Sequence, residues 1–170
     1  MTAFELAQVT IARMLAPFKD PSMQDFVTGL ALVNASADVA PGFIWRLQVE
    51  DGDMSAVRAF DWDMGDSFGV LPNISVWTSV EALSDFVFSG EHLAYLKRRR
   101  EWFLPVKDMM TALWWVPSGH QPTVDECVAK VRHLRENGPI PEVFTLRTQF
   151  PRPDVAAGPR DGDPDSSVAA

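Results

Sequence analysis

The order of strand-like and helix-like segments, β-α-β-β-α-β with a further helix and strand behind it, predicts an α+β domain built on an antiparallel sheet. Two kinds of observation predict it. Helix-opening signals stand near Asp20, Thr78 and Thr123, and short runs rich in β-branched and aromatic residues lie between the helices they open. The composition, 46% hydrophobic and 22% charged over 170 residues, suits one globular domain.

Phe4 to Met14, with Val9, Thr10 and Ile11, reads as the first strand, ending near Ala16-Pro17. Asp20-Pro21 supplies an N-cap and a proline at the first helical position, and Met23, Phe26, Val27, Leu30 and Val33 follow at helical spacing up to about Ser36. After the Pro41-Gly42 turn, Phe43 to Gln48 forms the second strand with Phe43, Trp45 and Leu47 on one face. Glu50 to Phe68 is rich in Asp and Gly, and Ala56, Val57, Ala59, Phe60 and Trp62 extend the strand after a bulge or loop.

Asn73 to Trp77 is the third strand. Thr78-Ser79-Val80-Glu81 reads as a capping box in which the Thr78 hydroxyl and the Glu81 carboxylate satisfy two free amides. Val80, Leu83, Val87 and Phe88 form the stripe of this helix, Ser89-Gly90 interrupts it, and a second piece runs from Glu91 to about Phe103 before Pro105. Met110 to Val116 is a strand buried on both faces. Thr123 to Glu126 is another capping box, Val124, Cys127, Val128, Val131 and Leu134 make the next stripe, and Asn137-Gly138 ends that helix. Glu142 to Phe150 alternates as a last strand. Residues 1–150 thus form one ferredoxin-like domain, and residues 151–170, almost without bulky apolar side chains, form a disordered acidic tail. Because several strands are apolar on both sides, the second sheet face needs a cover, and a symmetric partner chain is the simplest one.

The net charge of −8 repels phosphate backbones, and in Lys97-Arg98-Arg99-Arg100-Glu101 the helical winding spreads the basic groups around the axis, so nucleic-acid binding is disfavoured. No apolar run reaches the roughly 20 residues of a membrane span, and the start lacks the pattern of a secretory signal. The single cysteine, Cys127, cannot form an internal disulfide, which points to a reducing cytoplasm.

On a helical wheel over Glu91 to Phe103, an arc about 120° wide holds His92, Tyr95, Leu96, Arg99, Trp102 and Phe103. Inward-facing His92 and Arg99 need a partner or a ligand, because an unpaired buried charge is costly. In the functional reading His92 is an acid or base, Arg99 holds an anionic or enolate-like oxygen and Tyr95 adds a hydroxyl. In the structural alternative Arg99 stacks on Trp102 or Trp45 and pairs with a carboxylate, while His92 caps a helix end.

Trp45, Trp77, Trp102 and Trp115 are the candidate aromatic wall of a substrate pocket, although each indole is equally at home in a core. Trp114 and Trp115 face opposite sides of their strand. His120 sits in a tight loop with a structural role, His133 faces solvent, and Asp61 and Asp63 lie solvated in a loop. There is no metal-ligand spacing, phosphate loop, GxSxG elbow or GxGxxG fingerprint. The apolar setting of Cys127 argues against a nucleophile.

Four segments resemble a known family: Phe43-Ile44-Trp45-Arg46-Leu47-Gln48, Ser75-Val76-Trp77-Thr78-Ser79-Val80-Glu81-Ala82-Leu83, His92 through Arg98-Arg99-Arg100-Glu101-Trp102-Phe103, and Leu113-Trp114-Trp115-Val116-Pro117-Ser118-Gly119-His120-Gln121-Pro122-Thr123. From about Phe4 to Phe150 the chain is similar to the bacterial family called domain of unknown function 3291. That family resembles the dimeric α/β-barrel group, which includes cofactor-free monooxygenases, polyketide cyclases, muconolactone-isomerase-like proteins and haem-using relatives. The resemblance implies a dimeric ferredoxin-like fold and no particular reaction.

The sequence therefore leads to the expectation of a cytoplasmic, homodimeric small-molecule enzyme. It would transfer protons without a cofactor on an apolar, aromatic or polyketide-like substrate, in the manner of a monooxygenase, cyclase or isomerase. The alternatives are a non-catalytic binder of a hydrophobic compound and a haem protein with His92 or His120 as axial ligand.

Overall fold

The computed structural model describes residues 3–50 and 52–156. In chain order the elements are β1 (Phe4–Arg13), α1 (Gln24–Asp38), β2 (Phe43–Arg46), α2 (Ser55–Arg58), β3 (Val70–Trp77), α3 (Val80–Val87), α4 (Gly90–Lys97), β4 (Thr111–Pro117), α5 (Val124–Asn137) and α6 (Pro153–Ala156). The four strands form one antiparallel sheet in the order β2-β3-β1-β4. The chain is thus an α+β protein.

Strand alternation sorts the side chains into two layers. Ala7, Val9, Ile11, Ile74, Val76, Ala112, Trp114 and Val116 point to the first face, where Cys127, Val131 and Leu134 of α5 close over them together with Phe60 and Val143. On the second face Leu6, Trp77 and Leu113 pack under Val80 and Leu83 of α3 at one end of the sheet. At its other end Met14 packs with Met23 and Trp102, and Leu71 and Phe26 lie against them. Both faces are covered by the chain itself, α5 supplying the cover that the sequence assigned to a second copy.

The helix ends keep only part of the expected chemistry: the Asp20 cap opens a 3-10 turn over Pro21–Met23 ahead of α1, and the Glu126 carboxylate accepts from Trp114 at 2.9 Å instead of closing a capping box. Asp20 accepts from the Ser22 amide, and Thr123 caps α5 by accepting from the Glu126 amide at 3.1 Å. At α3 the cap is Ser79, which accepts from Ala82 N at 3.1 Å, and not Thr78. The Thr78 amide instead donates to the Gly42 carbonyl at 2.8 Å, and the Thr78 hydroxyl lies where a Cβ on Gly42 would be 2.5 Å away.

Three expected elements differ. The stretch around Ala56 to Trp62 does not extend β2: Asp53 accepts from the Ser55 amide and starts α2, and a 3-10 turn follows over Asp61–Asp63. The spacing of Ala56, Ala59 and Phe60 suits a helix as well as it suits a broken strand. Glu142 to Phe150 forms no strand. Only Phe144 pairs with Leu113, through bonds of 2.8 and 2.9 Å, before Thr145 accepts from the Thr148 amide and turns the chain off the sheet edge. The helix from Gly90 stops at Lys97 and tightens into a 3-10 turn over Arg99–Glu101. Of the expected tail, residues 153–156 form α6, and residues 157–170 lie outside the described ones.

One end of the first face is locked by charge. Arg13 Nη2 lies 2.7 Å from Asp63 Oδ1, Arg13 Nε donates to the Asp63 carbonyl, and Arg135 of α5 donates to the same Oδ1. Asp63 is 7% exposed, so it is a buried anion and not the solvated loop residue expected. Burial pushes its carboxyl pKa up, but Arg135 and Arg13 together overcome that and hold it below the ordinary value.

Candidate functional site

The arc of residues expected to form an active centre is divided. His92 is half-buried, with its ring edge-on to Phe86 at 5.2 Å and its Nδ1 2.9 Å from the Val87 carbonyl. A carbonyl only accepts, so Nδ1 carries the proton. Desolvation lowers the imidazole pKa further than the Val87 bond raises it, which leaves the ring neutral near pH 7 with Nε2 bare. Tyr95 belongs to the other apolar cluster, tilted 5.8 Å from Trp102 and pressed so closely on Gly29 of α1 that a Cβ there would lie 2.0 Å from its ring.

Arg99 is exposed and donates to the Leu96 carbonyl at 3.2 Å. The wheel turned it inward on the assumption of continuous α-helix. Near Arg98 the winding changes from about 100° to about 120° per residue, and the phase is lost. Trp102 stays inward because backbone bonds hold it, Leu15 N to Trp102 O at 2.8 Å and Leu104 N to Arg13 O at 2.9 Å.

The remaining tryptophans are dispersed too. Trp45 packs on the first face, while Trp77 and Trp115 lie on the second. Trp77 stacks on Phe86 at 5.1 Å, and Trp115 donates to the Phe150 carbonyl at 2.9 Å. His120 pairs at the surface with Glu126 Oε2 at 2.7 Å, whose other oxygen accepts from Trp114 at 2.9 Å. His133 is exposed, and burial pushes the Cys127 thiol up to about 12, which keeps it protonated and inert.

What the strands do bring together is a polar strip across the middle of the second face. Gln8 and Thr10 of β1, Ser75 and Asn73 of β3, and Thr111 of β4 lie in register between the two apolar ends. Gln8 Nε2 donates to Asn73 Oδ1 at 2.9 Å and to Ser75 Oγ at 3.0 Å, Thr10 donates to Gln8 Oε1 at 2.7 Å, and Thr10 and Thr111 share a bond of 3.0 Å. Ser75 Oγ also accepts from the buried Trp77 indole at 2.8 Å. Gln8 and Ser75 are buried, Thr10 and Thr111 half-buried, and Asn73 exposed. Arg46, opposite Ser75 on the same face, is held by Asp38 at the end of α1 at 2.7 and 3.1 Å.

Helices α1 and α4 pack against each other, Tyr95 on Gly29, and both reach the two apolar ends of this face. Chain next to α1 joins the Met14 end through Met23 and the Trp77 end through Ala40, and α4 touches Phe86 through His92 and Trp102 through Tyr95. Leu30 and Val33 of α1 and Leu93 and Leu96 of α4 are only half-buried, and none of them packs on the three buried clusters. Two clefts flank the start of α3: one of about 570 Å³ lined by Ala40, Gly42, Ala82, Phe86 and Gly90, the other of about 370 Å³ lined by Trp115, Phe150, Arg152 and Val155.

Sequence reasoning missed the strip, although its signal was present: polar residues at i and i+2 in two strands that are otherwise apolar, Gln8 and Thr10 in β1, Asn73 and Ser75 in β3. Among the described residues no cluster of His, Cys, Asp and Glu could hold a metal, and no helix is long and apolar enough to cross a membrane.

Fold and site together define an α+β protein with a four-stranded antiparallel sheet whose inner face carries a polar centre between apolar ends. The chain belongs to the family described as Domain of unknown function (DUF3291), whose model matches residues 5–160. The match runs beyond Phe150 and takes in α6, where the sequence placed the start of the tail. No curated protein matches the chain. Among solved structures it is similar to the crystal structure of PA3566 from Pseudomonas aeruginosa, with 10% identity, 71% of this chain and 99% of that chain covered, and a TM-score of 0.45, too low for a functional comparison.

Proposed function

We propose that this protein binds a small, largely apolar molecule between the second sheet face and helices α1 and α4. The observation that carries this is the polar strip itself. Central strands of a covered sheet bury apolar side chains by default, and a hydrogen-bonded set of amides and hydroxyls costs more to hold there than valines do. Such a floor under half-buried leucines and valines is the usual make-up of a small-molecule site, an apolar body of lining with a few placed polar groups.

Methyl-resolved NMR during titration with naphthalene-based probes tests it. Shifts at the methyls of Leu30, Val33, Leu93 and Leu96, with those of Val131 on the opposite face unmoved, are the expected outcome. Probes that shift none of the four, or that shift only residues of the clefts beside α3, remove the proposal.

A proton-transfer enzyme is the second reading, favoured by the bare Nε2 of neutral His92. Turnover of an identified substrate that survives His92→Gln unchanged eliminates it. For the architecture we propose the ferredoxin-like arrangement, supported by the antiparallel order β2-β3-β1-β4. A homodimer on this frame would join through strand edges or helices, since both sheet faces are occupied, and light scattering reads whether the mass is that of two chains. The single buried thiol supports a cytoplasmic setting.

A further inference from the structure

We infer that the polar strip selects ligands presenting a hydrogen-bond-accepting oxygen, a carbonyl or phenolate, because its network runs one way and ends in donors. This rests on the proposed binding site and names the chemistry it recognises. The direction follows from groups that have no choice. The main-chain carbonyl of Asn73 only accepts, and it lies 3.4 Å from Gln8 Nε2, so the NH2 end of the Gln8 amide points toward Asn73. Gln8 Oε1 then faces Thr10, whose hydroxyl donates to it at 2.7 Å. Having given its proton there, Thr10 accepts from Thr111 across the 3.0 Å contact.

At the other end, Gln8 Nε2 donates to Asn73 Oδ1, which turns the Asn73 NH2 away from the network, and Asn73 is exposed. Ser75 Oγ accepts from both Gln8 Nε2 and Trp77 Nε1, so its oxygen is saturated and its own proton is left to give. Arg46, opposite Ser75, uses Nε and Nη2 on Asp38, leaving the Nη1 protons. On this half of the face the side-chain protons not spent inside the protein belong to the Asn73 amide, the Ser75 hydroxyl and the Arg46 guanidinium. An acceptor oxygen is matched there, and an amine N–H meets juxtaposed donors.

The test compares three probes of one shape, naphthalene, 2-acetylnaphthalene and 2-aminonaphthalene, by ligand-observed NMR with the natural chain and with Asn73→Asp. The expected result is 2-acetylnaphthalene binding roughly three- to tenfold tighter than naphthalene, the range of one net hydrogen bond, with the amine no tighter than naphthalene. In Asn73→Asp, whose surface position keeps the fold intact and whose carboxylate still accepts from Gln8, the advantage of the ketone over naphthalene falls toward one and the amine gains. Equal binding of ketone and naphthalene, or preference for the amine in the natural chain, overturns the inference and leaves the binding site standing. Failure of all three probes to bind overturns both.

Discussion

Replacing Ser75 with alanine removes the oxygen on which two buried donors converge, the Trp77 indole at 2.8 Å and the Gln8 amide at 3.0 Å. The two losses are unequal. Gln8 keeps Asn73 Oδ1 at 2.9 Å, whereas the Trp77 N–H, in a side chain 1% exposed, has no other acceptor among the described residues. An orphaned buried donor costs about 1–3 kcal/mol, so Ser75→Ala is expected to destabilise the fold by about 2 kcal/mol. Urea denaturation followed by far-ultraviolet circular dichroism should move its midpoint down by about 1 M, for a slope near 2 kcal/mol/M. In a Trp77→Phe background the donor is gone, and the same change should cost less than about 1 kcal/mol, a coupling of about 1 kcal/mol or more. A Ser75→Ala cost below about 0.5 kcal/mol, or an equal cost in both backgrounds, would show that the hydroxyl does not organise this face.

Asp63→Asn should lower the melting temperature by about 10 °C, because it leaves Arg13 and Arg135 facing each other at a site where removing a paired buried charge costs about 3 kcal/mol; an unchanged transition in scanning calorimetry would contradict it. The depressed pKa of His92 makes its protonation unfavourable in the folded state, so the unfolded chain takes up the proton first as pH falls below 6.5. Stability from this residue is complete above 6.5 and declines as pH drops toward its folded pKa, and His92→Gln should flatten that part of the denaturation-midpoint profile. Gly29→Ala, favourable by about 1 kcal/mol for helix propensity alone, should instead destabilise by about 1–2 kcal/mol because its Cβ meets the Tyr95 ring; in a Tyr95→Leu background the sign should reverse.

Parts of the fold were legible in the sequence because strong punctuation bounds them. Pro41-Gly42, the Thr123 cap and Gly138, with φ of 73°, fall where the residue types place them. The helix over Glu91 to Phe103 was misread for a physical reason: a change from α to 3-10 winding has no compositional mark, yet after it every wheel position is displaced, and Arg99 left the site through that displacement. Asp63 shows the converse limit. Its partners Arg13 and Arg135 are far from it in the chain, so no local pattern distinguishes it from exposed Asp61 two residues earlier. The polar strip lies between these cases. Each of its residues looks ordinary within its own strand, and only the register that sets Gln8 against Ser75 and Thr10 against Asn73 and Thr111 turns them into one surface.

A crystal structure of the protein soaked with 2-acetylnaphthalene tests the central claim most directly. The rings should lie against Leu30, Val33, Leu93 and Leu96, with the ketone oxygen within hydrogen-bonding distance of Asn73 Nδ2. A probe seated instead in either cleft beside α3, with the strip untouched, would contradict the account.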